Sequence, residues 1–403
     1  MVRPERRTRA DLVAAAAIAA VIVLVAVVVW WTSDARATVS RPAAEPVPSL
    51  KPAAAVPDSL EEQWTAPSAK TTAPVVVGGA VVTGDDRAMD GRDPVTGASL
   101  WSYARDRELC GVTWVYNYAV AVYPDVRGCG QVSTVDAKTG RRGPARTSYA
   151  DRHVTLSGDG TTVLSAGQTR LEMWRSDMVR MLSYGAMDAP INPGVPATPV
   201  CRFVDAAAGS SSVSVLESCE GQDDLRLTLL RPSDDEAAPE LKYVQQKGVA
   251  DGTGARVVAV TDTATALYVP TPKPRVDIID DTGVVVDSTV VDGEPVPGAT
   301  SSRAGDVITW WTGNALMVFS ANDLRYKYTI AAAGPDAPVG PATMMAGQLL
   351  VPVSSGYDVF DPMTGTGDRH VPLQRPNLDG PVVPAVAGST LLEQRGDHVV
   401  ALA

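Results

Sequence analysis

Two rhythms of apolar and polar positions divide the chain. From Leu12 to Trp31, twenty residues pass without a charge, which is the length a helix needs to cross ~30 Å of hydrocarbon. From residue 59 onward the apolar residues come instead in short runs rich in Val and Ala, broken by Gly, Asn and Asp. VVVGGAVVTG at 75–84, VTWVYNYAVAVY at 112–123 and VTLSGDGTTVLSAG at 154–167 are examples. Such runs, bounded by turn residues, predict pairs of strands joined by tight reversals.

Superimposed on the strands is a recurring turn. Asp93-Pro94-Val95-Thr96-Gly97 is followed by Leu100-Trp101, and the element returns as Asp136 to Gly140, as Asp361 to Gly365 and, more weakly, as Asp280 to Gly283. Gly supplies the positive φ such a turn requires. The spacing from Asp93 to Asp136 is 43 residues and from Asp280 to Asp361 is 81. A period near forty with four strands per unit marks the blades of a β-propeller. Asp-x-x-Thr-Gly followed by Trp resembles the blade repeat of the quinoprotein-type (PQQ-like) β-propellers, over residues 59 to 403. That family holds both quinone-dependent dehydrogenases and non-catalytic scaffolds of the bacterial envelope, so the resemblance speaks for fold more than for function.

Seven blades can be laid out at 74–103, 110–140, 154–184, 201–244, 256–291, 303–330 and 339–373. The strand Gly396 to Leu402 then lacks a following turn, while Leu60 to Trp64 opens the folded part with no blade before it. The expectation is that the amino-terminal segment completes the last blade as its outermost strand, giving an eight-bladed all-β propeller, with seven blades as the alternative. Pairing the two ends also removes an exposed sheet edge.

The amino terminus sets the location. Arg3, Arg6, Arg7 and Arg9 stand before the apolar run against one acid, Glu5. The positive-inside rule places residues 1–11 in the cytoplasm, 12–31 across the membrane and the remainder outside, with Trp30-Trp31 at the far interface. A cleaved signal peptide is the rival, because Ala35-Arg36-Ala37 resembles a cleavage site. Its apolar region runs only about 7–15 residues, so the observed length favours a retained anchor. Residues 32–58 hold Pro42, Pro46, Pro48, Pro52 and Pro57 without apolar periodicity, and are expected to be a semi-rigid tether. With so few residues ahead of the span, any signal would need a partner.

Charge and candidate chemistry narrow the function. From residue 59 the chain carries 28 basic and 41 acidic side chains, a balance that repels phosphate backbones and argues against nucleic acid. Cys110 and Cys129, and Cys201 and Cys219, each flank a two-strand hairpin. Four cysteines allow three connectivities, but this placement and an exported location favour pairing within each hairpin. A metal site is the alternative, without the Cys-x-x-Cys spacing that would support it. Resemblance to the quinoprotein dehydrogenases would imply adjacent cysteines and a calcium cluster. No two cysteines here are adjacent, so none of that family's catalytic residues has a position to occupy, and no cofactor is expected. His153, His370 and His398, the only histidines, accompany no nucleophile motif.

One stretch departs from the blade rhythm. Trp174, Arg175, Asp177, Arg180 and Tyr184 precede a Pro-rich connection at 185–200 that is long for a blade link. These five residues are candidates for a partner surface. The alternative is that Trp174 packs between blades and Asp177 pairs with an arginine. The overall expectation is a membrane-anchored extracytoplasmic propeller that binds an envelope protein or a glycan as a scaffold. A quinone-dependent oxidoreductase is the second reading.

Overall fold

The structure is a computed structural model that describes residues 8–186, 201–235, 238–331, 336–375, 378 and 380–403. The apolar run forms helix α1, Arg9–Thr32, opened by a capping box in which Thr8 and Asp11 satisfy each other's backbone N–H groups. No α1 side chain is buried against the protein, as a segment facing lipid or a signal sequence requires.

Among the described residues, eight antiparallel sheets follow. Seven are built from consecutive strands at 75–104, 111–147, 155–185, 201–250, 256–290, 300–331 and 343–372. The eighth combines three strands at 382–402 with strand β2, Glu62–Pro67 (β1 being Val39–Arg41), from the other end of the chain. Trp64 lies opposite Ala401 and Thr65 opposite Val400. The expected closure is therefore present, and the ring has eight blades rather than seven. First strands of neighbouring blades touch around the ring, except that blade 3 meets the first strand of blade 4 through its second strand, and the strands at 75–77 and 382–387 complete the circle. Within each wedge the inner strands are covered on both faces by neighbouring blades. Ala80, Val81 and Val82 are accordingly all fully buried, a continuous apolar run of the kind strands covered on both faces carry.

Neighbouring blades are fastened by the recurring turn. In Asp136 to Gly140, Asp136 Oδ1 accepts bonds from the Thr139 N–H and hydroxyl, both at 2.8 Å. Gly140 sits at φ +68°, where an added Cβ would lie 2.5 Å from Trp101 Cβ. Trp101 belongs to the outer strand of the preceding blade, and its indole N–H donates to the Ala137 carbonyl at 2.8 Å. The same contact recurs where Trp64 donates to the Pro94 carbonyl at 2.9 Å and where Tyr328 donates to the Pro362 carbonyl at 2.9 Å. The ring thus covers the next blade's turn, not the one ahead of it in its own blade.

One expectation needs correction. The Pro-rich segment does not stand free as a tether: β1 pairs as a fifth strand with the outer strand Ser99–Ala104, Val39 opposite Ala104 and Arg41 opposite Ser102. Beyond it, Ala43 and Val47 donate backbone N–H groups to the Thr139 and Lys138 carbonyls. Val47, Val56 and Leu60 are buried, and Arg369 grips the Val56 carbonyl at 2.6 Å. Prolines bar the segment from a ladder of its own, but its carbonyls and three apolar side chains find partners on blades 1, 2 and 7. His398 starts the third strand of blade 8, exposed and beside Asp397 at 2.6 Å.

Candidate binding face

The antiparallel wedges give the ring two unlike faces. One carries the first-to-second and third-to-fourth turns of each blade. The amino-terminal segment crosses this face: Val47 and Pro48 lie against Gly79, and Leu50 against Gly388. Leu50, Pro52 and Ala53 border a cleft of about 470 Å³ with Met344, Met345 and Val386. The other face carries the second-to-third turns and the blade-to-blade connections. There a cleft of about 510 Å³ opens between blades 2 and 3, lined by Val126, Arg127, Tyr149, Asp151, Arg152, Thr169 and Arg170.

Cleft chemistry follows from which charges are already matched. Asp151 accepts from the Thr169 N–H at 2.8 Å, the Thr169 hydroxyl at 2.7 Å and the Arg170 N–H at 3.1 Å. Arg127 lies over the Tyr149 ring, 5.0 Å from its centroid, and 3.6 Å from Asp125. Arg170 is held in the wall by Glu172 at 2.6 Å. Arg152 is exposed, and among the described residues its guanidinium makes no ion pair and no hydrogen bond.

Beneath the cleft lies the first of three buried glutamates. Glu172, 2 % exposed, is met by Arg170, by Arg146 at 3.2 Å, by Arg180 at 3.4 Å and by the Trp174 indole N–H at 2.9 Å. Burial alone would raise its pKa, but Arg146, Trp174 and Arg170 outweigh it and hold the group below the usual range. Glu393, in blade 8, accepts from the Tyr357 hydroxyl at 2.5 Å, Arg375 at 2.6 Å and Arg395 at 2.5 Å. Burial pushes this group upward too, and the two arginines reverse the shift. Glu217, in blade 4, accepts from Arg226 at 3.0 Å and from the Thr228 hydroxyl.

These contacts place the five sequence candidates. Trp174 and Tyr184 are buried, at 1 % and 4 % exposure, which corrects their assignment to a partner surface. Trp174 and Arg180 converge on Glu172. Tyr184 stacks on Phe203 with ring centroids 5.7 Å apart, and its hydroxyl pKa is pushed up by burial and then by Glu217. Arg175 and Asp177 stay half-exposed and pair with each other within one turn. The Pro-rich connection, from 187 to 200, lies outside the described residues. Sequence reading missed the buried carboxylates and the cleft. The signal present was the dipeptide Leu-Glu inside apolar strands, at 171–172, 216–217 and 392–393.

Both cysteine pairs are disulfides, Cys110 to Cys129 and Cys201 to Cys219, as their placement suggested. The Cys201 and Cys219 sulfurs lie within 4.8 Å of a Glu217 oxygen, but they are bonded to each other, and Arg226 already neutralises that carboxylate. A hydroxyl does approach a histidine. Ser355 Oγ is 3.5 Å from His370 Nε2, and His370 Nδ1 is 2.7 Å from Asp358. The Ser355 hydroxyl donates instead to Asp336 at 3.0 Å, and Ser355 and His370 are exposed on the outer part of blade 7. This geometry does not activate a nucleophile.

No family model matches the chain, and no curated protein matches it. Solved structures do. Sqt1 of Saccharomyces cerevisiae is 9 % identical, with a TM-score of 0.52, over 87 % of this chain and 98 % of its own. The dihydro-heme d1 dehydrogenase NirN is 10 % identical, with a TM-score of 0.50, over 85 % and 79 %. BamB of Moraxella catarrhalis is 14 % identical, with a TM-score of 0.47, over 85 % and 97 %. NirN and BamB are β-propellers of the PQQ-like type. At these identities the likeness is one of fold.

Proposed function

We propose that the chain is a membrane-anchored, extracytoplasmic β-propeller that serves as a protein-binding or assembly scaffold in the bacterial cell envelope, without catalysis. The observation that carries this reading is the use of buried charge. Glu172, Glu217 and Glu393 are each locked by arginines inside or between blades, so the groups best buried for acid–base chemistry act as fasteners. What remains accessible is broad, loop-built surface, the part of a rigid scaffold that carries recognition. The apolar α1, basic on its amino-terminal side, supports anchoring with the ring outside the cytoplasm, and two disulfides suit that compartment. What NirN's name says of heme d1 chemistry belongs to NirN.

Crosslinking in intact cells followed by mass spectrometry tests the reading. One or more envelope proteins are expected to be enriched over a control carrying α1 on an unrelated domain. Equal recovery from both would remove the scaffold reading. Catalysis is tested separately by adding pyrroloquinoline quinone with Ca²⁺ to the full chain in detergent. Melting temperature and absorbance are expected to stay unchanged, and a saturable shift would favour the oxidoreductase.

A further inference from the structure

Charge is not spread evenly around the ring. Between residues 105 and 186, blades 2 and 3 carry 11 basic and 8 acidic side chains, a net +3; the rest of the body from residue 59 carries 17 and 33, a net −16. The cleft between blades 2 and 3 lies within this basic sector, on the face that the amino-terminal segment leaves open. Its volume, about 510 Å³, falls in the range of ligand sites. Its acidic member, Asp151, is turned toward the Thr169 N–H and hydroxyl and the Arg170 backbone N–H, and the Arg170 guanidinium is neutralised by Glu172. Among the described residues, no carboxylate pairs with the Arg152 guanidinium.

We infer that this cleft is a binding site for carboxylate side chains of a partner protein, with Arg152 as the principal contact and Arg127, braced on Tyr149, beside it. A guanidinium presents a planar fork that matches a carboxylate with two parallel bonds, and Arg152 makes none among the described residues. Phosphate would fit the fork equally well. The surrounding field separates the two sources: a polyanionic chain leaving the cleft would run onto a body of net −16 and be repelled, whereas one or two acidic residues on an otherwise neutral loop would not. The inference rests on the scaffold reading and names the chemistry by which the scaffold holds its partner.

The test is fluorescence polarisation with the full chain in uncharged detergent at low salt, using a labelled acetyl-Gly-Glu-Glu-Gly amide as probe and a glycerol-phosphate polymer as comparison. Saturable peptide binding is expected. Arg152→Glu should weaken it at least tenfold and Arg152→Lys severalfold, while Arg303→Glu, at an exposed arginine of blade 6, should leave it unchanged. Unaltered melting temperatures would show that the variants fold. Failure of the peptide to bind, binding that survives Arg152→Glu, or an equal loss with Arg303→Glu overturns the assignment. Binding of the polymer alone overturns it in favour of a polyanion. None of these outcomes touches the crosslinking result, so the site and the scaffold role fail separately.

Discussion

At the scale of single residues, the buried carboxylates govern how the ring resists acid. Glu393 is fully buried and bonded to Arg375, Arg395 and Tyr357. Removing its charge leaves Arg375 without an anionic partner, and Arg395 with Glu62 alone, in a low-dielectric seam between blades 7 and 8, at a cost of about 3–5 kcal/mol. Glu393→Gln should lower the denaturant midpoint accordingly at neutral pH. Because the folded-state pKa is depressed from an ordinary value of 4.5, this stabilisation is present above about pH 4.5. It is lost as pH falls through the folded value. The gap between wild type and Glu393→Gln should therefore be constant from pH 7 to 5 and narrow in more acidic buffer; a gap that persists unchanged at pH 3 would contradict the assignment. Asp205, whose pKa burial raises, works in the opposite sense, which is why the difference between the two proteins is the quantity to read. The residues of this seam were hard to see in the sequence for a physical reason. Tyr357 and Glu393 stand 36 positions apart, and Arg146 and Glu172 stand 26 apart, so each pairing exists only once adjacent blades have met.

Elements divide by whether their partners are local. The Asp-x-x-Thr-Gly turns were legible because the aspartate, threonine and glycine satisfy one another within five residues, as the Asp93 and Asp361 turns repeat. The blade strands were legible because two-sided burial demands continuous apolar runs. The amino-terminal segment was misread because its partners, the strand Ser99–Ala104, the turn residues Lys138 and Thr139, and Pro372, are supplied by three different blades. Nothing in a proline-rich stretch announces a neighbour so far away. This difference is measurable by hydrogen exchange in the full chain. Amides of residues 39–47 should be protected to a degree comparable with the outer strand Ser99–Ala104, since the Val47 N–H is bonded at 2.7 Å and the Ala43 N–H at 3.0 Å. Exchange at the rate of an unstructured peptide would restore the tether.

For the molecule as a whole, the docking of β1 changes how the ring would be held at a bilayer by the anchor proposed above. A free tether of the length expected from sequence would let the propeller drift several tens of ångströms away. With β1 fixed on blade 1, only the stretch from Thr32 to Val39 is left between helix and ring, and seven residues reach about 25 Å at most. An anchor formed by α1, as proposed above, would therefore grip one rim. Blade 5 lies opposite blade 1 in a ring of eight, and its outer strand exposes Val286 at 59 %. The acidic body is repelled by anionic headgroups, so the rim without an anchor should tilt outward. Because all four native cysteines are in disulfides, a single new thiol can carry a fluorophore. With the full chain in nanodiscs containing anionic lipid and a headgroup-linked quencher, a label at Ser99→Cys should be quenched clearly more than one at Val286→Cys. Equal quenching would mean the ring lies flat on the membrane. That posture would turn one whole face toward lipid, whereas a ring held at one rim keeps the cleft between blades 2 and 3 open to a protein approaching from the side.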